Sequence, residues 1–459
     1  MLGFLFVLGP VPTKCSSKFP FEQSTMKRAG KSRRDERDRL SSLPDCLIHL
    51  IMSFLTTQQA VQTCVLSKRW NNLWTTLPSL DFDLWKFKFD EELDDSETED
   101  SEPRRRFEKF RDFVSTTLLL REASDLHKFR LFCKMFDGHN YRILMRSWIL
   151  YALKHNLQVL DIDIRPEDSL PFGVFTCASL VDVSLSSYTS VQTVEVINLP
   201  CLRRLHLNHM KLNQDFIEKL FCGCPVLEFL HLEYYIGEFT AINSPSLKYL
   251  EIKYYGLRGE TEKNIELINT PNLLSFRYSI YSNTIGHKIL LKMPSLTGAS
   301  IYSDYHIGKS NILIGLSNVQ NLKLRGRAIK GLLKNELPNC PEFSNVKDLS
   351  LDDLCLSCNF SLFASFLNHF PNLEKLSIQH AGCSFGEKVD GNRESLKIAP
   401  FKGRRLETVE VMFVRNDKYF PQAVKHLQDI TEKSKAQINM ISVYDWDEDC
   451  SEETSQEIN

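Results

Sequence analysis

Few side chains in this 459-residue chain have the types and spacing that catalysis or metal binding requires. His206, His209 and His231 form the best group, because an imidazole can bind a metal ion or transfer a proton, but scattered surface histidines are far commoner than such sites. The cysteines include a lone C-x-x-C at 355–358 and a lone C-x-C at 222–224. A zinc site would need a second pair or histidines at ligand spacing, and neither is present. The sequence therefore predicts no metal site and no cofactor.

Sequence motifs of enzymes are missing as well. The chain has no P-loop, no H-E-x-x-H, no G-x-S-x-G and no G-x-G-x-x-G after a strand. Its formal net charge is -2, so the overall balance favours neither nucleic acid nor a membrane as partner. The apolar run within residues 1–10 is far shorter than the ~20 residues that span a bilayer. We therefore expect a non-catalytic protein, and its scattered cysteines favour a reducing compartment.

The segment from Asp38 to about Trp74 has the pattern of short packed helices. Pro44 is typical of a first helical turn, and apolar residues then recur at three- and four-residue spacing as far as Leu55. Fully burying one Leu, Ile or Phe side chain contributes about 1.5–3 kcal/mol, but so short a segment cannot bury all of its own. The rest of the chain or a partner must therefore cover the surplus.

Two stretches of this segment resemble the F-box of plant proteins. They are DRLSSLPDCLIHLIMSFL at 38–55 and AVQTCVLSKRWNNLW at 60–74, which together cover nearly the whole motif. The resemblance implies binding to a Skp-type adaptor, which is carried by a cullin scaffold with a RING protein. Some of the implied contacts could instead form the core of the motif itself. The candidate adaptor-binding residues are Leu43, Pro44, Ile48, Ile51, Leu55, Val65, Leu66 and Trp70.

Most of the remaining chain repeats one pattern, apolar-x-x-apolar-x-apolar. Successive units are 20 to 27 residues apart by subtraction of their first positions, within or close to the 20–29 range of leucine-rich repeats. One unit cannot bury its apolar side alone, so neighbouring units must stack around a continuous core. Looser units begin at Leu126 and Leu406. The ten clear units begin at Leu157, Leu180, Leu202, Leu227, Leu247, Leu273, Leu296, Val319, Val346 and Leu373.

These patterns predict the α/β fold class, with a small all-α F-box followed by a curved leucine-rich-repeat solenoid that has a parallel concave sheet. The segment CGCPVLEFLHL at 222–232 resembles the corresponding repeat of plant F-box/leucine-rich-repeat proteins. The segment at 401–441 weakly resembles the FBD cap of that family, without a Val-Pro-x-Cys-Leu lead-in. We place the boundaries at 1–37 for a disordered basic arm, 38–84 for the F-box, 85–105 for an acidic linker, 106–400 for the repeats, 401–444 for the cap and 445–459 for an acidic tail.

Charge distribution decides how the ends and the linker are interpreted. Residues 90–103 hold nine Asp or Glu and no Lys or Arg, so they self-repel and suit a solvated loop. Residues 27–39 hold seven Lys or Arg, which fits either a solubilising tail or a nuclear localisation signal. We expect a location in the cytoplasm, the nucleus or both. Met26 is an alternative start for the chain.

Residues between the repeated leucines should point to the concave face of the sheet, where a target protein could bind. Aromatic and arginine side chains there suit a protein interface, although a mixed-charge face could also serve solubility alone. The candidate target-binding residues are Arg204, His206, Phe229, His231, Tyr249, Glu251, Arg277 and Tyr302.

Three functions compete at this point. The leading hypothesis is the substrate-recognition subunit of an SCF-type cullin–RING ubiquitin ligase, in which the F-box binds the adaptor and the repeats bind an unknown protein target. The second is an F-box scaffold that does not drive degradation. The third is a repeat-based ligand sensor or enzyme with a small molecule on the concave face.

Overall fold

The computed structural model describes residues 43–66, 69–70, 72–89, 102–122, 125–134, 139–164, 170–186, 194–254, 265–281, 289–303, 311–326, 329–380, 401, 403, 405–414 and 420–443. The predicted basic arm at 1–37, most of the acidic linker and the acidic tail lie outside these residues. The chain forms two compact units, residues 1–189 with 198–202 and residues 190–197 with 203–459. In the described residues, no helix is both long enough and apolar enough to cross a membrane.

Within the described residues, unit one begins with two short helices, α1 (Asp45–Met52) and α2 (Thr57–Gln62). Helix α2 starts at a capping box, in which the Thr56 hydroxyl accepts from the Gln59 N–H at 3.3 Å and the Gln59 side chain accepts from the Thr56 N–H at 3.0 Å. This pair satisfies two backbone donors that a helix start leaves without partners. Single 3₁₀ turns follow at Thr63–Val65 and Leu73–Thr76.

Four strands and two longer helices make up the rest of what the structure describes of unit one. The strands pair in parallel and in chain order. Their apolar positions share one register, so Leu80, Phe129, Leu160 and Val183 form a single buried row. The elements are β1 (Ser79–Asp83), α3 (Glu102–Leu120), β2 (Lys128–Cys133), α4 (His139–Leu153), β3 (Val159–Ile164), a 3₁₀ turn (Phe172–Phe175) and β4 (Asp182–Ser186).

The repeat sheet starts earlier in the chain than the predicted boundaries placed it. Strand β1 lies within the segment that we assigned to the F-box, 38–84, yet it pairs along its whole length with β2. Helix α3 begins within the predicted linker, 85–105, and buries Phe107, Phe110 and Phe113. Leu77, Leu80 and Phe82 match the apolar triplet, but by subtraction Leu77 lies 49 residues before the next unit at Leu126, which is outside the 20–29 range of leucine-rich repeats.

Unit two is built from strand-and-return repeats. Ten strands pair in parallel in chain order. They are β5 (Arg204–Asn208), β7 (Phe229–Glu233), β10 (Tyr249–Tyr254), β12 (Ser275–Ile280), β14 (Gly298–Ser303), β15 (Asn321–Arg325), β16 (Asp348–Leu354), β17 (Lys375–His380), β18 (Thr408–Val414) and β19 (Gln437–Val443).

Short strands and helices form the return segments of unit two. The short strands pair among themselves, β6 with β8, and β11 with both β9 and β13. They are β6 (Lys211–Asn213), β8 (Ile236–Glu238), β9 (Ala241–Asn243), β11 (Leu267–Asn269) and β13 (Leu290–Lys292). The helices are α5 (Gln214–Gly223), α6 (Ile312–Gly315), α7 (Ile329–Glu336), α8 (Leu356–Leu367) and α9 (Phe420–Thr431), with 3₁₀ turns at Leu337–Asn339 and Glu432–Ser434.

The predicted repeats are confirmed by the alternation along these strands. In β5, β7 and β10 the second and fourth residues are buried, while their neighbours are at least partly accessible. Parallel pairing in register stacks each buried leucine on its equivalent, as Leu205 on Leu230 and Leu230 on Leu250. Because successive side chains of a strand point to opposite faces, the sheet has one core face and one open face. The predicted cap consists of β18, α9 and β19, whose two strands continue the parallel order.

Candidate interaction surfaces

Helix α1 has one buried side and one apolar side that solvent reaches. Ile48 and Met52 are 0% and 1% exposed and anchor the helix. Leu47, Leu50, Ile51 and Phe54 follow the i, i+3, i+4, i+7 spacing of a single helix face, and they are 39–82% exposed. Two further apolar side chains are exposed after α2, Val65 at 62% and Leu66 at 57%. We call these six residues the F-box apolar face.

The predicted adaptor contacts fall into three groups. Pro44, Ile51, Val65 and Leu66 are exposed, and Leu43 and Leu55 are partly buried. Ile48 and Trp70, which is 2% exposed, belong to the core of the F-box and have no surface for a partner. The prediction that these two residues contact the adaptor is therefore corrected: they support the F-box from inside.

Three exposed residues were missing from the predicted contacts, although their spacing could have identified them. Leu47, Leu50 and Phe54 lie on the same side of α1 as Ile51. The sequence pattern does not show which apolar residues of this helix face inward and which face solvent. Only the burial of Ile48 separates the side that packs inward from the side that remains free.

The open face of unit two is an array of three lateral rows, because its strands pair in register. The first row is Arg204, Phe229, Tyr249, Ser275 and Gly298. The second is His206, His231, Glu251, Arg277 and Ser300. The third is Asn208, Glu233, Lys253, Ser279 and Tyr302. All eight predicted target-binding residues lie in these rows.

Part of this array is open above the strands. A Cβ built on Gly298 would meet nothing within 4 Å, and its register partner Ser275 is also small. Phe229 and Tyr249 precede them in the first row with ring centroids 6.3 Å apart, and Tyr249 is 43% exposed. Tyr302 lies at the other end of β14, in the third row, with Arg325 above its ring at 5.7 Å. We call the open space above Gly298 the recess.

Glu233 is the charged centre of the array. Its carboxylate lies 3.3 Å from Lys253 Nζ, 3.5 Å from His206 Nε2 and 3.6 Å from His231 Nε2. Burial raises the pKa of the Glu233 carboxyl, but His206 and Lys253 outweigh it and lower this pKa to about 2. Burial, together with His206 and Lys253, lowers the pKa of His231 to about 3. At neutral pH the face therefore holds a carboxylate beside an uncharged imidazole.

The other candidate chemical groups of the sequence do not come together. His209 stacks on Tyr234, with ring centroids 4.5 Å apart, and lies outside the cluster around Glu233. Cys224 is buried while Cys222 is exposed, so the C-x-C pair points in different directions. Cys355 is buried, and the side chain of Cys358 lies outside the described residues.

Acidic residues on the strands of unit one are balanced by basic partners. Arg130 lies 3.2 Å from both carboxylate oxygens of Asp81 and 3.5 Å from Asp161. Lys134 lies 2.9 Å from Asp163. These strands of unit one therefore carry a series of ion pairs, in which basic side chains neutralise the negative charge of the aspartates.

Comparison with known proteins assigns both parts of the chain. A sequence model of the F-box domain matches residues 40–82, and a model described as FBD-associated F-box protein At5g56370, LRR repeats, matches residues 145–293. The F-box/LRR-repeat protein At4g14103 of Arabidopsis thaliana is 31% identical over 371 residues, which cover 75% of this chain and 92% of that protein. The chain belongs to the plant F-box/LRR-repeat family.

Further relatives of this F-box/LRR-repeat protein also carry the F-box in their names. The F-box/FBD/LRR-repeat protein At5g53840 of Arabidopsis thaliana is 29% identical over 385 residues, 76% of each chain. The FBD-associated F-box protein At4g10400 of the same plant is 30% identical over 353 residues, 74% of this chain and 77% of that protein. None of these three names denotes an enzyme. The F-box match ends within β1, which agrees with the packing of the F-box helices onto that strand.

Proposed function

We propose that this F-box/LRR-repeat protein is the substrate-recognition subunit of an SCF-type cullin–RING ubiquitin ligase. The F-box binds a Skp-type adaptor, which connects it to the cullin and the RING protein. The open face of unit two binds a target protein. The chain itself is non-catalytic, because proximity and orientation are what a receptor contributes to a transfer reaction that its partners carry out.

The observation that carries this proposal is the F-box apolar face. Phe54 is 82% exposed, and Leu50, Val65 and Leu66 are each more than half exposed. Burying a side chain of this size removes about 1.5–3 kcal/mol of unfavourable hydration, so such a cluster favours a bound partner. The proposed contact set is Leu43, Pro44, Leu47, Leu50, Ile51, Phe54, Leu55, Val65 and Leu66.

The open face of unit two supports target binding through its composition. Phe229, Tyr249 and Tyr302 supply aromatic area beside the exposed Arg277, and these residue types dominate the energetics of protein interfaces. The recess over Gly298 gives a protruding side chain of a target room to enter. We further propose that the protein acts in the cytoplasm, the nucleus or both.

A pull-down of the full chain with a purified Skp-type adaptor tests the first step. Wild type is expected to bind, whereas Phe54→Ser combined with Leu66→Ser is expected to lose binding. Leu119→Ser is the matched control, because Leu119 is an 81% exposed leucine that belongs to α3 and not to the F-box apolar face. Equal binding by all three proteins, or none by wild type, would contradict the proposal. Ubiquitination of a captured target in a reconstituted ligase then separates a receptor from a scaffold without a role in degradation.

A further inference from the structure

Strands β5 and β7 place two histidines face to face on the open surface of unit two. His206 and His231 are register partners, and their rings stack with centroids 4.2 Å apart and planes 5° from parallel. Glu233, two residues beyond His231, brings one carboxylate oxygen to 3.5 Å and 3.6 Å from the two Nε2 atoms. One ligand atom from each of the three residues lies within 4.8 Å of the others. In the part of the chain that the structure describes, no other three His, Cys, Asp or Glu side chains meet in this way.

Neither Nε2 atom has a partner within hydrogen-bond distance, although both are screened from solvent and both face the Glu233 carboxylate. Buried polar atoms without such a partner are unfavourable, and native structures contain few of them. A cation bound beside this carboxylate would give both Nε2 atoms a partner.

We propose that His206, His231 and Glu233 bind a divalent transition-metal ion, with Zn²⁺ as the best match to the donor set. Two imidazoles and one carboxylate are a donor set that Zn²⁺ uses when it keeps a further position for water or another ligand. Imidazole ligands also suit Cu²⁺ and Ni²⁺, whereas Mg²⁺ and Ca²⁺ prefer oxygen ligands alone. The side chains of two stacked rings must turn about their Cβ–Cγ bonds before both nitrogens face one ion. The three ligands therefore reach their final arrangement only when the ion binds.

Lys253 is the group that an incoming ion must displace. Its ammonium lies 3.3 Å from Glu233 and 3.9 Å from Glu251, so it now neutralises the carboxylates beside the two imidazoles. Glu251 also lies 3.8 Å from His231 Nε2, which places a second carboxylate within reach of the ion. Arg277, the register partner of Glu251, is the other cation of the row. A lysine side chain is long and flexible enough to swing away, and a divalent ion brings twice its charge.

Titration of the full chain with Co²⁺ and then Zn²⁺ tests the proposal without any knowledge of the adaptor or the target. Visible absorption reports Co²⁺ bound in a non-octahedral site, and Zn²⁺ should displace it. The chain has 13 cysteines, so strong near-ultraviolet charge-transfer bands would identify thiolate ligands in place of nitrogen and oxygen. The expected spectrum is the nitrogen and oxygen type, with about one ion per chain.

Four variants separate this site from binding elsewhere. His206→Gln and His231→Gln should each weaken metal binding by at least roughly 10-fold. Loss of a residue that only supports a metal ligand already has an effect of that size, and loss of a ligand should cost more. His209→Asn is the control, since it removes a stacked histidine outside the cluster at a positive φ that asparagine tolerates. Lys253→Gln should tighten binding several-fold, a gain that misfolding cannot produce. Unchanged affinity in the two glutamine variants, no gain in Lys253→Gln, or a thiolate spectrum would overturn the proposal.

Discussion

The side chain of Gln58 forms two hydrogen bonds with the backbone of Lys88. The side-chain Nε2 of Gln58 donates to the Lys88 carbonyl at 2.5 Å, and its Oε1 accepts from the Lys88 N–H at 2.9 Å. One residue earlier, the Thr57 hydroxyl accepts from the Asp81 N–H at 2.7 Å. These three bonds fasten α2 to β1 and to the segment that follows it. The F-box is thus built into the first repeat of unit one.

Replacement of Gln58 by alanine should loosen this attachment. Two partly buried backbone groups of Lys88 lose their partner. Because each bond contributes about 0.5–1.5 kcal/mol, we expect the free energy of unfolding of unit one to fall by about 1–3 kcal/mol. Urea unfolding followed by tryptophan fluorescence measures the change, because Trp70, Trp74 and Trp148 are buried in unit one. Gln62→Ala, at the exposed end of the same helix, is the control. Identical midpoints for Gln58→Ala and wild type would show that the pair contributes nothing.

On the open face, Tyr249→Ala should impair target binding more than any loss of charge does. The side chain is exposed beside Phe229 at the edge of the recess, and aromatic hot spots cost about 2 kcal/mol or more when truncated, which is roughly 30-fold in affinity. Phe229→Ala and His231→Ala should act in the same direction. Quantitative co-purification of targets with each variant measures the effect, and adaptor binding must stay at the wild-type level. Lys292→Ala, exposed on β13, serves as control. Comparable target capture by all three variants would contradict the assignment of this face.

Gly326 should not tolerate a side chain. Its φ is +102°, and a Cβ added there would lie 2.2 Å from the carbonyl oxygen of Ser303. We expect Gly326→Ala to lower the free energy of unfolding by at least about 2 kcal/mol, since strain and steric overlap add. Gly298→Ala is the matched control, because its Cβ would meet nothing within 4 Å and the change should stay within about 0.5 kcal/mol. Thermal unfolding of the two variants in parallel tests the contrast, which would fail if both melt together.

The cysteines of the C-x-C segment should differ in reactivity. Burial raises the pKa of Cys224 to about 12, so at pH 8 its thiol stays protonated and covered, whereas Cys222 is exposed. Iodoacetamide should therefore modify Cys222 in the native protein and spare Cys224, and Cys224 should stay unmodified when the pH is raised from 7 to 9. Peptide mass spectrometry after timed quenching distinguishes the two sites. Equal rates in the native protein would refute the burial, and equal rates in denaturant are the internal control.

The repeated leucines predicted the sheet well because each of them fills the equivalent position in the core between neighbouring repeats. Leu205, Leu230 and Leu250 occupy equivalent buried positions, and the residues between them reach the open face as expected. Spacing alone did not reveal where the array begins. Leu77, Leu80 and Phe82 match the triplet, but by subtraction they come 49 residues before the unit at Leu126. The membership of β1 in the sheet depends on its pairing with β2, which is a contact between distant parts of the chain.

The sites were harder to predict than the fold, for a physical reason. Whether Ile48 or Ile51 faces a partner depends on which side of α1 packs inward, and the two residues are equivalent in type and close in spacing. The stacking of His206 on His231 follows from the register of β5 with β7, but the approach of Glu233 to both rings depends on side-chain rotamers. Side-chain direction of this kind is fixed by tertiary packing and leaves no local pattern.

The alternation of buried and open positions along each strand bears on how such a protein can change over generations. A substitution at Tyr249, Glu251 or Arg277 alters what the open face offers and leaves the leucine and isoleucine beneath it in place. Recognition can therefore drift one position at a time while folding is conserved. The same separation suits laboratory selection, since a library confined to the three rows would sample new binding specificities on an unchanged scaffold.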